Sequence, residues 1–182
     1  MSLRLFAALA LPDDAVESLV AMAKGVPCAQ WRPRENLHLT LRFFGEVNEP
    51  VADELDAALD EIASGSRTFE MKLKAVGVFG KDSPHTLWVG LEESAALKQL
   101  AAGCERAARR AGLKPEPRKF LPHVTLAYVG AAEPARVQNF VQRFSLFETR
   151  AFRVESLGLY SSWVRKSAPS LYRLEADYPL LG

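Results

Sequence analysis

Two short segments, His38-Leu-Thr-Leu41 and His123-Val-Thr-Leu126, constrain this chain more than any other feature of it. In an extended strand successive side chains alternate between faces. Each histidine therefore shares a face with the threonine two residues on, while the aliphatic residues between them point into a core. The likeness continues outward, as His38-Leu-Thr-Leu-Arg-Phe-Phe-Gly45 against His123-Val-Thr-Leu-Ala-Tyr-Val-Gly130, and the pair accounts for two of only three histidines.

The surroundings repeat as well. Residues 3–11 read as a buried strand, followed by a helix with Asp14 as N-cap and Glu17 three residues on. Val16, Leu19, Val20 and Ala23 form its apolar stripe, and Gly25 ends it. The first histidine strand covers 37–43, and a second helix opens at Asn48-Glu-Pro50 with Val51, Leu55, Leu59 and Ile62 on one side. Phe69, Met71 and Leu73 then alternate with charged residues as in a half-exposed strand. After a turn at 80–84 the series restarts: strand 86–91, helix 95–111 closed by Gly112, histidine strand 122–129, helix 134–143, and strands 150–159 and 171–177. Each half reads strand, helix, histidine strand, helix, strand, with an offset of 85 residues between His38 and His123. The expected architecture is one α+β domain over residues 1–182, bilobal and internally duplicated, with both histidine faces lining one cleft.

Composition removes several function classes. A net charge of +1 gives no general attraction to nucleic acid or membrane, so any basic surface is local. Arg32, Arg34 and Arg42 flank the first histidine, and Lys114, Arg118 and Lys119 precede the second. Cys28 and Cys104 make no disulfide framework. The apolar start lacks a basic leader and reads as a strand rather than a signal peptide, and no stretch is long enough to span a membrane. A cytoplasmic monomer is expected.

Two imidazoles, each with an ordinary pKa of about 6.5, supply one base and one acid near neutral pH. Each positioned proton transfer contributes roughly 10²–10⁴ in rate. Four groups about a twofold axis suit a phosphodiester: one histidine activates water, the other protonates the leaving oxygen, and Thr40 and Thr125 hold non-bridging oxygens. Arg118, or Arg42 on the His38 face, would add charge stabilisation. Catalytic zinc has little support, since there is no His-x-His, no His-Glu-x-x-His and no carboxylate within either motif. A serine nucleophile lacks its Gly-x-Ser-x-Gly elbow. His85, in His-Thr-Leu-Trp, has the wrong spacing and reads as structural or solvated. No metal and no cofactor is expected.

The double motif and its flanks resemble the paired His-x-Thr-hydrophobic signatures of the 2H phosphoesterases, most closely the RNA 2′,3′-cyclic phosphodiesterases also called 2′-5′ RNA ligases. Arg4-Leu-Phe-Ala-Ala8, Trp31, Glu35-Asn-Leu-His38 with the residues to Glu46, Leu87-Trp-Val-Gly90 and Arg118-Lys-Phe-Leu-Pro-His123 carry the resemblance over nearly the whole chain. It implies antiparallel sheets lining a cleft with helices outside. It also implies metal-independent hydrolysis of a terminal 2′,3′-cyclic phosphate to a 2′-phosphomonoester, with reversible 2′-5′ ligation as a second capability. The implied substrate is an RNA end or a small cyclic nucleotide. His38 would be the general acid and His123 the general base, with Thr40, Thr125 and Arg118 on the phosphate. Family members often carry arginine five residues after the second histidine, where this chain has Tyr128. Phe43, at the matching place in the first copy, resembles a residue packing on the terminal base, and needs a strand bulge or strand end to reach that face; without one it is a core aromatic. The other class left open is a non-catalytic module that grips RNA ends.

Overall fold

Leu5, Ala7 and Leu9 of the first strand are apolar on one face and Phe6 and Ala8 on the other. The computed structural model, which describes residues 2–182, buries both sets in β1 (Ser2–Ala10). Helix α1 (Asp13–Met22) follows Pro12, whose backbone is extended. Asp14 is not its N-cap as expected: its carboxylate accepts from the amide of Ala15 at 2.8 Å, and it lies with Asp13 in the first turn, where the helix dipole favours negative charge. The buried stripe is Ala15, Val16, Leu19 and Met22. Val20, expected on that stripe, is 46% exposed, because one residue past Leu19 is a rotation of about 100°.

A short β2 (Gln30–Trp31) and a single 3-10 turn lead to β3 (His38–Asn48), longer than the sequence suggests. Helix α2 (Glu49–Ser64) starts as expected, with the Asn48 side chain accepting from the amide of Val51 at 3.1 Å. The alternating stretch after it divides into β4 (Phe69–Met71) and β5 (Leu73–Phe79). Next come β6 (Thr86–Leu91), α3 (Ala95–Arg110, capped by Ser94), β7 (Val124–Tyr128) and α4 (Pro134–Arg143). The chain finishes with β8 (Phe152–Val154), β9 (Ser156–Trp163) and β10 (Leu171–Pro179), where the sequence pattern shows one strand in place of β8 and β9.

The main sheet runs β10-β9-β1-β3-β7-β6-β5, with β2 also on β7, and all of these pairings are antiparallel. Strands β4 and β8 form a separate two-stranded ribbon. The third strand of each sequence half crosses over: β5 pairs with β6 and β9 with β1. This exchange leaves β3 and β7 as neighbours at the middle of the molecule. They meet at one pair only, Leu39 with Val124, so two four-stranded halves join along a single seam. Residues from all four helices and the helix-side strand residues form one core, including Leu19, Leu39, Leu59, Leu100, Val124 and Val137. The opposite face of the seam is left open. No helix among the described residues is long and apolar enough to cross a membrane.

Candidate active site

The seam positions the motifs. Leu39 and Val124 are fully buried on the helix side, and because their strands are antiparallel, His38 falls opposite Thr125 and Thr40 opposite His123. All four polar side chains lie on the open face, each partly exposed. One local register thus converts two distant segments into a cross-braced square of imidazole and hydroxyl groups.

Each ring has a polar partner that orients it. Nδ1 of His123 lies 2.8 Å from the carbonyl oxygen of Leu121. A carbonyl only accepts, so Nδ1 carries the proton and Nε2 presents its lone pair. Nε2 of His38 lies 3.0 Å from Oγ1 of Thr40, and the backbone of Asn36 favours the protonated form of the ring.

The aromatic setting of the two rings differs. His38 stacks on Phe6 at 5.0 Å and meets the edge of Tyr172 at 5.2 Å, with Tyr160 beyond. A cavity of about 320 Å³ opens beside it, lined in part by Leu37, Arg34, Tyr160 and Tyr172. Burial, then the charge of Arg32, and more weakly His123, lower the pKa of His38 from 6.5 to about 4, against the opposing effect of the Asn36 backbone. His123 is more open, with the edge of Phe79 at 4.9 Å and Trp88 at 6.4 Å. A larger cavity of about 660 Å³ lies on the helix side between α2 and α3 and contains none of the motif residues.

Strict alternation would put Arg42 on the His38 face, and the structure does not. The β1–β3 ladder skips Leu41, pairing Thr40 with Ala8 and Arg42 with Ala7. The bulge turns Leu41 and Arg42 together toward the helices. There Nε of Arg42 lies 2.6 Å from Oε2 of Glu105 on α3, and Nη2 donates to the carbonyl of Lys114. The same bulge delivers Phe43 to the open face, opposite Phe6 and 40% exposed, so it is not a core aromatic. An equivalent skip at Leu126 in the β6–β7 ladder brings Tyr128 to the open face, 45% exposed. Arg42 is therefore a structural residue on the far side. Arg42→Ala is expected to cost roughly 2 kcal/mol in urea unfolding, less than a fully buried pair because Glu105 keeps 28% exposure. Affinity for inorganic phosphate should be unchanged.

Arg118 is also committed elsewhere: Nε lies 2.7 Å from Oε1 of Glu116, whose carboxyl it holds below the usual range, and its side chain is largely exposed. His85 is exposed and bonds Thr86 of its own turn. Among the described residues no three His, Cys, Asp or Glu side chains converge as metal ligands.

The family model of the 2′-5′ RNA ligase superfamily matches residues 11–163. The chain belongs to this superfamily. An RNA 2′,3′-cyclic phosphodiesterase of Aeropyrum pernix is 36% identical over 148 residues, covering 78% of this chain and 83% of that protein. One of Aquifex aeolicus is 30% identical over 156 residues, covering 84% and 82%. The structure of E. coli LigT complexed with 3′-AMP superposes with a TM-score of 0.81 at 26% identity, over 99% of each chain.

Several residues around these side chains escape motif reasoning. Tyr160 and Tyr172 stand on β9 and β10, strands that reach His38 only through the crossover, so their sequence distance hides them, whereas Phe6 on β1 lies within the Arg4-Leu-Phe-Ala-Ala8 segment. Arg32 is visible as one of a basic cluster, but nothing in the sequence separates it from Arg34, which pairs with Asp13 at 2.8 Å. Trp88 carried a signal, since it belongs to the Leu87-Trp-Val-Gly90 segment and pairs with Thr125 on the open face.

Proposed function

We propose that this protein hydrolyses the terminal 2′,3′-cyclic phosphate of RNA without a metal, using His38 as general acid and His123 as general base. The observation carrying this reading is the square of His38, Thr125, Thr40 and His123 on one face, with Nδ1 of His123 committed to the Leu121 carbonyl and Nε2 of His38 beside Thr40. Nε2 is then the reactive nitrogen of His123, and we assign the same atom of His38 to the acid. In the step proposed, Nε2 of His123 takes a proton from water as its oxygen attacks phosphorus. The P–O3′ bond breaks, Nε2–H of His38 protonates O3′, and a 2′-phosphomonoester with a free 3′-hydroxyl results. Thr40 and Thr125 donate to the non-bridging oxygens. With a 5′-hydroxyl in place of water the same pair forms a 2′-5′ linkage.

The depressed pKa of His38 fits this role once substrate is considered. In the free protein the ring is neutral at pH 7, which keeps an unpaired charge out of a buried aromatic nest. A phosphodiester anion beside it favours the imidazolium form, so the acid is charged where a leaving oxygen needs it. The relatives named RNA 2′,3′-cyclic phosphodiesterase and the LigT structure with 3′-AMP support a ribose phosphate as the ligand class. The same reading takes residues 1–182 as one domain, a monomer in a reducing cytoplasm, where the free Cys28 and Cys104 belong.

The test is turnover of an oligoribonucleotide ending in a 2′,3′-cyclic phosphate, in EDTA, with the product's phosphate position identified. A 2′-phosphate formed at an undiminished rate is expected. Turnover that appears only on adding a divalent metal would remove the acid–base mechanism. Salt-sensitive binding with no product would leave only the RNA-end-binding module.

A further inference from the structure

Attack on a phosphodiester builds negative charge on the non-bridging oxygens, and the motif residues bring only hydroxyls and a single proton to meet it. The arginines expected to help are occupied, Arg42 by Glu105 on the helix side and Arg118 by Glu116, and the flanking Arg34 pairs with Asp13. Arg4 is solvent-exposed over the Phe43 ring. Arg32 differs from all of these. Its backbone amide donates to the carbonyl of Leu126 at 2.8 Å, extending the β2–β7 pairing in which Gln30 faces Tyr128. Two residues on from Gln30, Arg32 returns to the Tyr128 side of the sheet. Its Cζ stands 5.3 Å from the Tyr128 ring centre and 5.8 Å from that of Tyr172, and Nη2 donates to Oη of Tyr172 at 3.1 Å.

The guanidinium is half-buried, held by two aromatic rings, and has no carboxylate within ion-pair distance among the described residues. A partly desolvated cation left without an anion is unfavourable by itself, and a guanidinium has five N–H donors in a planar fork that matches phosphate oxygens. Tyr172, which orients it, also touches the ring of His38.

We propose that Arg32, clamped between Tyr128 and Tyr172, binds the substrate phosphate beside His38 and supplies the positive charge that the motif residues lack. This rests on the cyclic phosphodiesterase reading above. It makes Tyr128, the residue in place of the family's arginine, one wall of the clamp, with the cation delivered from the neighbouring strand. The Coulombic influence of Arg32 on His38 agrees with this proximity.

Two measurements on the intact chain separate this inference from the reading beneath it. In ¹⁵N-labelled wild type, titration with inorganic phosphate should shift the Arg32 Nε–H resonance together with the His38 ring signals, whether or not any substrate turns over. With the cyclic-phosphate oligoribonucleotide, Arg32→Gln should lower kcat/KM roughly 30-fold and make KM less dependent on salt, and Arg32→Lys should recover part of the loss. Wild-type inactivity would refute the hydrolase reading, while the phosphate titration would still decide the clamp. An unmoved Arg32 resonance at saturating phosphate, or an Arg32→Gln protein with normal melting and normal kinetics, overturns the assignment.

Discussion

Replacing His123 with alanine lowers kcat/KM for a 2′,3′-cyclic phosphate oligoribonucleotide by roughly 10³-fold, within the range of a single positioned proton-transfer group. The loss is expected in kcat, with KM nearly unchanged, because the ring acts on the attacking water while Thr125 and Thr40 remain to hold the phosphate. Folding should survive. The imidazole is partly exposed and is held by one hydrogen bond to Leu121 and an edge contact with Phe79. Thermal melting of the variant near wild type, together with steady-state kinetics, checks both halves of the expectation. Undiminished turnover would remove His123 from the chemistry. His38→Ala is the less informative experiment, since that ring is also packed on Phe6 and Tyr172 and its removal opens a hole in an aromatic cluster.

The parts legible in the sequence were those set by local chemistry. Asn48 announces a helix start because a short polar side chain can satisfy a free amide three residues on, and it does. His38 and Thr40 share a face because strand alternation holds over two residues. Alternation fails over five: a skipped residue at Leu41 reverses the faces of Arg42 and Phe43, and no residue type at 41 marks the skip. The equivalent skip at Leu126 does the same for Tyr128. The crossover of β5 and β9 is likewise a property of how two halves pack, so the residues it carries to the histidines, Tyr160 and Tyr172 among them, could be found only in three dimensions. Arg118 shows the remaining gap: position in a motif gives proximity along the chain, while Glu116 two residues away decides what its charge does.

The second large effect concerns pH. His38 has a folded-state pKa of about 4, against about 6.5 for an ordinary histidine, with burial as the first cause and Arg32 as the second. Between these values the unfolded chain holds a proton that the folded protein excludes, so stability rises with pH through this window and is fully present above 6.5. Acidification from pH 7 to pH 4 should then remove about 3 kcal/mol through this group alone. Urea midpoints between pH 4 and pH 7 measure the total slope, and His38→Gln isolates the histidine's share, because the carboxylates titrate alike in both proteins. The slopes of the wild-type and variant curves should differ by about one bound proton within the window, roughly 1.4 kcal/mol per pH unit. Inorganic phosphate, which favours the protonated ring, should flatten the wild-type curve and leave the slope of the variant's nearly as it was. Parallel wild-type and His38→Gln curves would mean that the ring is open to solvent, and the neutral resting state assigned to the general acid would fall with it.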